Sequence, residues 1–240
     1  MRIDDNICTG CWECVPYCPV GAILPEDGVV RVDEEACLEC GTCLRTAPCP
    51  TDAIYEPESV YEWPRSVRKV FSDPKAVHKE TNVPGRGTEE CKTNDVTGRV
   101  KRGRIGVAME LGRPGVGTDF YDVEKVSTAM AALGVHFEPC NPLTGLMSDK
   151  TTGKIRDDVK GEKVLSAIVE IDADINQLPE VIETARRVAK EINTVFSLDV
   201  ICRFEPDGSI PVLPALEKLG IKPRPNAKIN IGAGQPLCNE

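Results

Sequence analysis

Eight cysteines among the first 58 residues form two runs with nearly the same spacing. The first run is Cys8-x2-Cys11-x2-Cys14-x3-Cys18-Pro19. The second run is Cys37-x2-Cys40-x2-Cys43-x5-Cys49-Pro50. A [4Fe–4S] cubane needs four thiolates, and one tight loop can supply three of them while the fourth approaches from elsewhere. The spacing therefore predicts that these eight side chains hold two [4Fe–4S] clusters.

The fourth ligand of each cluster is expected to come from the other run, as is usual for this motif. The predicted ligands of the first cluster are Cys8, Cys11, Cys14 and Cys49. The predicted ligands of the second cluster are Cys37, Cys40, Cys43 and Cys18. Two zinc sites would also use four thiolates each, but structural zinc sites pair two CxxC elements, so zinc is the weaker interpretation.

The similarity of the two runs extends beyond their cysteines. Ile3-Asp4 precedes Cys8 as Val32-Asp33 precedes Cys37, which indicates an internal duplication. Residues 28–32 have the short alternating pattern of a small strand. A module of this size has little core of its own, so we expect bound clusters to supply much of its folding energy.

With all eight ligand positions and both prolines present, residues 1–58 resemble the bacterial two-cluster ferredoxins. The resemblance implies two pseudo-twofold βαβ-like halves, each wrapped around one cluster, and electron transfer in anaerobic metabolism. Two features depart from the family pattern: the x5 spacing before Cys49 and the bulky Trp12 in the first ligand loop. Trp12 is expected either to shield the first cluster from water or to serve as an exposed docking residue.

The negative charge of the chain is concentrated in the same region. Residues 1–58 hold 12 acidic and 3 basic residues, a formal charge of −9, whereas the remainder is balanced with 26 of each. Such a field disfavours nucleic acid and favours docking to a positive patch on another protein.

The cysteine content also bears on the cellular compartment. The N-terminus has no apolar h-region, and no stretch approaches the roughly 18 apolar residues of a membrane span. Thiols stay reduced in the cytosol, where clustered cysteines indicate metal or redox chemistry. We therefore expect a soluble, cytoplasmic protein without membrane insertion.

Residues 59–103 read as a basic, irregular linker that contains several prolines and glycines. Its basic residues are Arg65, Arg68, Lys69, Lys75, Lys79, Arg86, Lys92, Arg99, Lys101 and Arg102. Two interpretations are open: a solvated connector that partly folds back on the acidic module, and a strap that binds a partner protein.

Residues 104–220 predict a second domain of α+β class. Strands are predicted at 104–111, 135–138, 163–171 and 195–204, helices at 122–133 and 178–192, and a polar excursion at 141–161. A further short helix is expected at 211–219, and an extended tail at 221–240. The order βαβ–βαβ predicts a split βαβ sandwich, with a four-stranded antiparallel sheet and two helices on one face.

The loop Gly112-Arg-Pro-Gly-Val between the first strand and the first helix is similar to that of ACT-type domains. This resemblance implies a small amino-acid site near Arg113, Gly115 and Asp119, and edge-to-edge pairing into a homo-oligomer. The alternative is that Gly115 and Gly117 only permit a tight turn.

The remaining residues of chemical interest lack a ligand or catalytic spacing. These are Cys91, Cys140, Cys202, Cys238, His78 and His136. Cys202 is expected to be a small buried hydrophobe on its strand. No Ser/His/Asp set, P-loop or dinucleotide fingerprint is present in the sequence.

The sequence therefore favours a non-catalytic electron-transfer subunit, whose partner subunit carries the catalytic cofactor. A first alternative is a redox regulator that senses a small ligand through the ACT-like domain. A second is a component of a low-potential reductase, because residues 85–90 and 92–95 faintly resemble ferredoxin-bearing proteins of hydroxynicotinate-type ring reduction.

Overall fold

The computed structural model describes residues 1–77 and 98–224. The cysteine-rich module, residues 1–58, is built from two small antiparallel ribbons. Its elements are β1 (Arg2–Ile3), β2 (Ile23–Glu26), β3 (Val29–Val32), α1 (Thr42–Thr46) and β4 (Ile54–Tyr55), with a 3₁₀ turn at Val15–Tyr17. Strand β1 pairs with β4, and β2 pairs with β3.

The core of the cysteine-rich module is small, and three of its eight buried members are cysteines. Its buried members are Met1, Cys14, Ala22, Ile23, Val30, Cys37, Cys43 and Ile54. Asp27 and Gly28 connect β2 to β3 with φ angles of 49° and 82°. Positive φ at both central residues is what a tight two-residue hairpin turn requires, and Asp-Gly is a favoured pair there.

The second domain contains a four-stranded antiparallel sheet with two long helices. Its elements are β5 (Arg104–Leu111), β6 (Thr118–Asp119), α3 (Phe120–Ala131), β7 (His136–Phe137), α4 (Pro142–Gly145), β8 (Met147–Asp149), β9 (Lys154–Ile155), β10 (Lys163–Val164), β11 (Ala167–Asp174), α5 (Leu178–Val188), β12 (Phe196–Ile201) and α6 (Leu213–Lys218). The strand order in the sheet is β12-β5-β11-β7. Helix α3 connects β5 to β7, and α5 connects β11 to β12.

The sheet buries one set of alternating side chains against the two helices. On β5 this set is Ile105, Val107, Met109 and Leu111, none of which is exposed to solvent. Helices α3 and α5 pack against each other over this face, since both contribute buried residues to the same core.

Several predicted elements differ from the structure in extent. Helix α3 begins at Phe120 because the Asp119 carboxylate caps it, accepting the backbone N–H of Asp122 at 2.9 Å. The predicted strand 163–171 is divided into β10 and β11, and between them the N–H of Leu165 donates to the Ser72 hydroxyl at 2.8 Å. The predicted polar excursion 141–161 contains α4 and the β8–β9 hairpin.

The linker is not irregular throughout, which corrects the prediction for residues 59–103. Helix α2 (Ser66–Ser72) follows a 3₁₀ turn at Glu58–Tyr61. Pro64 and Pro74 flank this helix, so the prolines of the linker set its ends and do not prevent it. The Phe71 ring packs edge-on against Phe120, with centroids 5.6 Å apart, so α2 belongs to the core of the second domain.

A second contact joins the linker to the second domain beside the β8–β9 hairpin. The Trp63 indole N–H donates to the Asp158 carboxylate at 2.8 Å. The Arg156 guanidinium lies 4.7 Å from the centre of the Trp63 ring, within the range of a cation–π contact. The cysteine-rich module is therefore anchored to the second domain through residues on both sides of Pro64.

In the described ranges, no helix is long and apolar enough to cross a lipid bilayer. Some predictions concern residues outside those ranges. These are His78, Lys79, Arg86, Cys91, Lys92, Cys238, the segments 85–90 and 92–95, and the tail from residue 225.

Candidate functional site

Four predicted ligands from both cysteine runs line one small cavity. They are Cys8, Cys11, Cys14 and Cys49. The other walls of this first cavity are mostly apolar and include Ile3, Val30 and Ile54, together with Trp12. The structure thus brings together the four side chains that were predicted to share the first cluster.

The other four cysteines line a second small cavity. They are Cys18, Cys37, Cys40 and Cys43. Val20, Ala22, Ile23 and Leu38 form apolar walls around them. Each cavity therefore combines three cysteines of one run with the fourth cysteine of the other, and the role of these side chains as cluster ligands stays a prediction.

Left-handed backbone at equivalent positions turns the cysteines of each run toward one centre. In the first run Gly10 and Trp12 have φ angles of 64° and 65°. In the second run the equivalent residues, Glu39 and Gly41, have φ angles of 55° and 65°. A tryptophan and a glutamate in this region are uncommon, and such residues persist where surrounding structure holds them.

Gly10 also has a steric reason to be glycine. A methyl group on its Cα would lie 2.1 Å from the carbonyl oxygen of Gly28. The first ligand loop therefore packs directly on the β2–β3 turn.

Backbone donors point at the fourth cysteine of each run. The Ala22 N–H donates to Cys18 Sγ at 3.1 Å, and the Ala53 N–H donates to Cys49 Sγ at 3.3 Å. Burial alone would raise the pKa of Cys49, but backbone donors at Thr51 and Ala53 outweigh it and hold that pKa below its ordinary value. These donors favour the thiolate, which is the form that binds iron.

The buried cysteines show the opposite shift. Burial raises the pKa of Cys43 to about 12, and repulsion from Cys40, Cys37 and Cys18 adds to it. Burial likewise raises the pKa of Cys14 and of Cys37. Four thiolates facing one small apolar space repel one another, so the site needs positive charge at its centre, which iron supplies.

The separation of the thiols also bears on the kind of metal. In residues 1–77 and 98–224, no three histidine, cysteine, aspartate or glutamate side chains lie close enough to hold a single metal ion. The four thiolates of a cubane bind four different irons, so they are farther apart than the ligands of one zinc ion.

The two cavities differ in their exposure to solvent. Cys11 is exposed, and 55% of the Trp12 surface is accessible beside it. By contrast Cys37, Cys40 and Cys43 are all buried, and Leu38 is only 4% exposed.

The second domain lies directly on the wall of the second cavity. A methyl group on Gly117 would meet Leu38 at 3.3 Å and Val20 at 3.7 Å, so the Gly112–Gly117 loop packs against these two residues. This loop is therefore in contact with the cysteine-rich module.

Arg68 of helix α2 joins the module to the second domain from within. Its guanidinium donates to the carbonyl oxygens of Glu34, Glu35 and Cys37, at 3.2, 2.9 and 2.9 Å. It also pairs with Glu162 of the second domain, and only 2% of Arg68 is exposed. A planar guanidinium with five donors can bind several acceptors at once better than an ammonium group can.

Two further basic residues of the linker neutralise acids of the module. Arg65 pairs with Glu39, whose side chain is fully buried. Lys69 bridges Glu56 and Asp73 at 2.6 Å each. These contacts support the interpretation that the linker folds back on the acidic module.

Known proteins share the cysteine-rich module. The profile of the 4Fe-4S binding domain family matches residues 1–24. A ferredoxin-like protein in the vnf region of Azotobacter chroococcum is 37% identical over 62 residues, which cover 24% of the present chain and 92% of that protein. The chain belongs to the ferredoxins. The cofactor of this ferredoxin domain is of the 4Fe–4S type.

Two other relatives match shorter parts of the ferredoxin domain. Ferredoxin-1 of Rhodobacter capsulatus is 45% identical over 40 residues, so the chain spans 62% of that protein, and the match covers 17% of the chain. One component of an ion-translocating oxidoreductase complex of Methanosarcina acetivorans is 43% identical over 47 residues, 20% of the chain and 17% of that component. No solved structure matches the chain significantly.

The residues implied by the ACT-type resemblance are engaged in local structure. Asp119 caps α3, and Arg113 donates to Glu110 at 2.7 Å and to Ser166 at 3.1 Å. Gly115 and Gly117 have φ angles of 71° and 80°, which agrees with the alternative of a tight turn.

The other residues of chemical interest are dispersed. Cys202 follows the last residue of β12, is partly buried and packs against the core. Cys140 accepts a hydrogen bond from Arg99 at 3.4 Å, and His136 lies exposed on β7.

Sequence reasoning missed two residues of the site, Glu39 and Arg68. Glu39 occupies the left-handed position that is Gly10 in the first run, and comparison of the duplicated runs could have indicated its special role. Nothing in the sequence around Arg68 distinguishes it from the other basic residues of the linker, because its partners are carbonyl groups far away in the chain.

Proposed function

We propose that the chain is an iron–sulfur electron-transfer protein that holds two [4Fe–4S] clusters, with the crossed ligand sets predicted from the sequence. The observation that carries the proposal is the grouping of eight cysteines into two cavities of four. Each bound cluster supplies one-electron chemistry. The chain's own residues fix the thiolates, donate N–H groups to sulfur and keep water out with apolar walls.

The electrons are proposed to pass to or from a partner oxidoreductase subunit that carries the catalytic cofactor. The relative from Methanosarcina acetivorans has the name of an oxidoreductase complex component, which supports this part of the proposal. The formal charge of −9 on residues 1–58 supports a partner with a basic surface and not a nucleic acid. We place this activity in the cytoplasm, where thiols stay reduced.

The second domain is proposed to be an ACT-like split βαβ domain with a structural role. Its antiparallel strand order and two connecting helices support this fold. The packing of the Gly112–Gly117 loop against Leu38 favours support of the ferredoxin domain over binding of an amino acid at that loop. The short edge strand β7 and the edge strand β12 are the surfaces through which such a domain would pair with a second copy.

Iron analysis tests the proposal after anaerobic reconstitution with iron and sulfide. Two clusters correspond to about eight irons and eight sulfides per chain. The Cys11→Ala and Cys40→Ala variants are each expected to retain about four irons and the electron paramagnetic resonance (EPR) signal of a single reduced cluster. Binding of one zinc per four cysteines, without acid-labile sulfide, would overturn the proposal.

A further inference from the structure

The two cavities are not equivalent, because the second domain and helix α2 contact residues of the loop that holds the second cavity. Leu38 and Val20, which wall the second cavity, pack against the Gly112–Gly117 loop. Arg68 links the second cysteine run to the second domain, because its guanidinium donates to the Cys37 carbonyl oxygen and pairs with the Glu162 carboxylate. These contacts involve none of the residues that line the first cavity, whose ligand Cys11 is exposed.

The acids beside the two cavities also differ in their partners. Glu39, which lies between the lining residues Leu38 and Cys40 of the second cavity, is buried and paired with Arg65. Around the first cavity Glu13, Asp27 and Asp52 are exposed. Across the described ranges, none of these three acids has a basic group within 4.0 Å.

The three acids surround the first ligand loop. Glu13 lines the first cavity, and Asp52 lies between its lining residues Thr51 and Ala53. Asp27 is in the β2–β3 turn, on which Gly10 packs. Apolar surface is exposed in the same loop, since Trp12 beside Glu13 is 55% exposed, and Ile7 beside the lining residue Cys8 is 45% exposed.

We infer that the first cavity is the port at which the chain exchanges electrons, and that Ile7, Cys11 and Trp12 with the rim of Glu13, Asp27 and Asp52 form the docking surface. The inference rests on the proposed function. The occupant is a flavoprotein or iron–sulfur protein whose one-electron carrier lies beneath a basic patch. Charge complementarity selects this partner, and the exposed apolar centre with a charged rim matches a transient protein interface.

One electron passes in each encounter. The carrier of the partner is oxidised and the group held by Cys8, Cys11, Cys14 and Cys49 is reduced, or the reverse, and no bond or proton changes. The distance to the docked partner decides which cavity exchanges electrons. Cys11 and Trp12 place the group of the first cavity at the surface. Leu38 and the second domain keep the group of the second cavity away from a docked protein.

The test uses the full chain loaded with iron and sulfide and two variants with the same change of net charge. The port variant is Glu13→Gln/Asp27→Asn/Asp52→Asn; asparagine suits the left-handed backbone of Asp27 and Asp52, whose φ angles are 49° and 52°. The control variant is Glu180→Gln/Glu183→Gln/Glu217→Gln, at exposed helical positions of the second domain.

Stopped-flow oxidation of the reduced proteins is measured with a lysine-rich c-type cytochrome and with the trisoxalatocobaltate(III) anion. The port variant should react about tenfold more slowly with the cytochrome at low salt, faster with the anion, and with a weaker salt dependence. The control variant should differ little from the parent chain. Equal rates for the two variants with both oxidants would overturn the inference.

A second measurement does not depend on electron transfer. A soluble dysprosium chelate should relax the EPR signal of the Cys40→Ala variant, which keeps only the first cluster, more than that of the Cys11→Ala variant. Equal relaxation of the two variants, or greater relaxation of the Cys11→Ala variant, would contradict the inference that the first cavity is the site of electron exchange. Iron analysis of all variants separates the two proposals, because a chain that takes up no iron–sulfur cluster contradicts the proposed function, whereas a loaded chain with equivalent clusters contradicts only the port.

Discussion

The guanidinium of Arg68 donates a hydrogen bond to the carbonyl oxygen of Cys37 at 2.9 Å, from a helix that belongs to the core of the second domain. The backbone of a predicted cluster ligand is thereby held by a residue outside the ferredoxin domain. The same guanidinium pairs with Glu162 of the second domain. The buried positive charge of helix α2 therefore contacts both the ligand loop and the second domain.

Replacing Arg68 with methionine should destabilise the chain by about 3–5 kcal/mol, because it leaves Glu162 and three carbonyl groups without their buried cation. Anaerobic urea unfolding of the loaded protein measures the effect. Arg187→Met is the control, since the Arg187 side chain is 62% exposed in a weak surface pair. Similar unfolding midpoints for both variants would show that the Arg68 contacts contribute little.

Leu38→Ala should expose the second cluster to water. The substitution removes the contact with Gly117 and opens the apolar wall of the second cavity, at a cost of about 2–5 kcal/mol. Greater solvent exposure should shift the potential of the second cluster to a more positive value. EPR-monitored redox titration checks this shift, with Leu44→Ala at a 38% exposed position as control. An unchanged potential in a stably folded variant would speak against shielding by the second domain.

Gly10→Ala should prevent loading of the first cluster. Its methyl group would lie 2.1 Å from the Gly28 carbonyl oxygen, and the left-handed backbone adds a strain of about 1–2 kcal/mol. Gly21→Ala carries the same strain, with φ of 66° against 64°, but meets no atom within 4 Å. Iron analysis should therefore show about four irons for the first variant and about eight for the second. If both variants bound the same amount of iron, the close contact between Gly10 and the Gly28 carbonyl would not matter for cluster loading.

Removal of iron should unfold the ferredoxin domain and leave the second domain folded. The buried core of residues 1–58 contains three cysteines and few large side chains, whereas the second domain has an extensive aliphatic core. Hydrogen–deuterium exchange before and after chelation is the measurement. Amides of β2, β3 and α1 should lose protection, and those of β5 and β11 should keep it. Protection that persisted in β2 and β3 without iron would contradict the prediction.

The sequence predicted the long, strongly patterned elements well. Strand β5 has its predicted bounds, and α5 lies within its predicted range, because the burial of one face is already visible in the spacing of apolar residues. The crossed grouping of cysteines was expected from the known ligand pattern of this motif. These features depend on residues close together in the chain or on a known ligand pattern.

Other features depend on contacts between distant residues. Helix α2 was missed because its flanking prolines were interpreted as breaks, whereas Val67 and Phe71 gain their stability from the core of the second domain. The division of the predicted strand 163–171 depends on Ser72, which accepts the N–H of Leu165. The difference in exposure between the two cavities likewise arises only when the second domain packs on Leu38.

The most direct test of two crossed clusters is iron analysis of two double variants. In Cys11→Ala/Cys49→Ala both substitutions fall in the first ligand set, so the second cluster should survive with about four irons per chain. In Cys11→Ala/Cys18→Ala each set loses one ligand, so both clusters should be lost or degraded. The reverse result, with about four irons retained only in the second double variant, would contradict the crossed arrangement and assign each cluster to a single cysteine run.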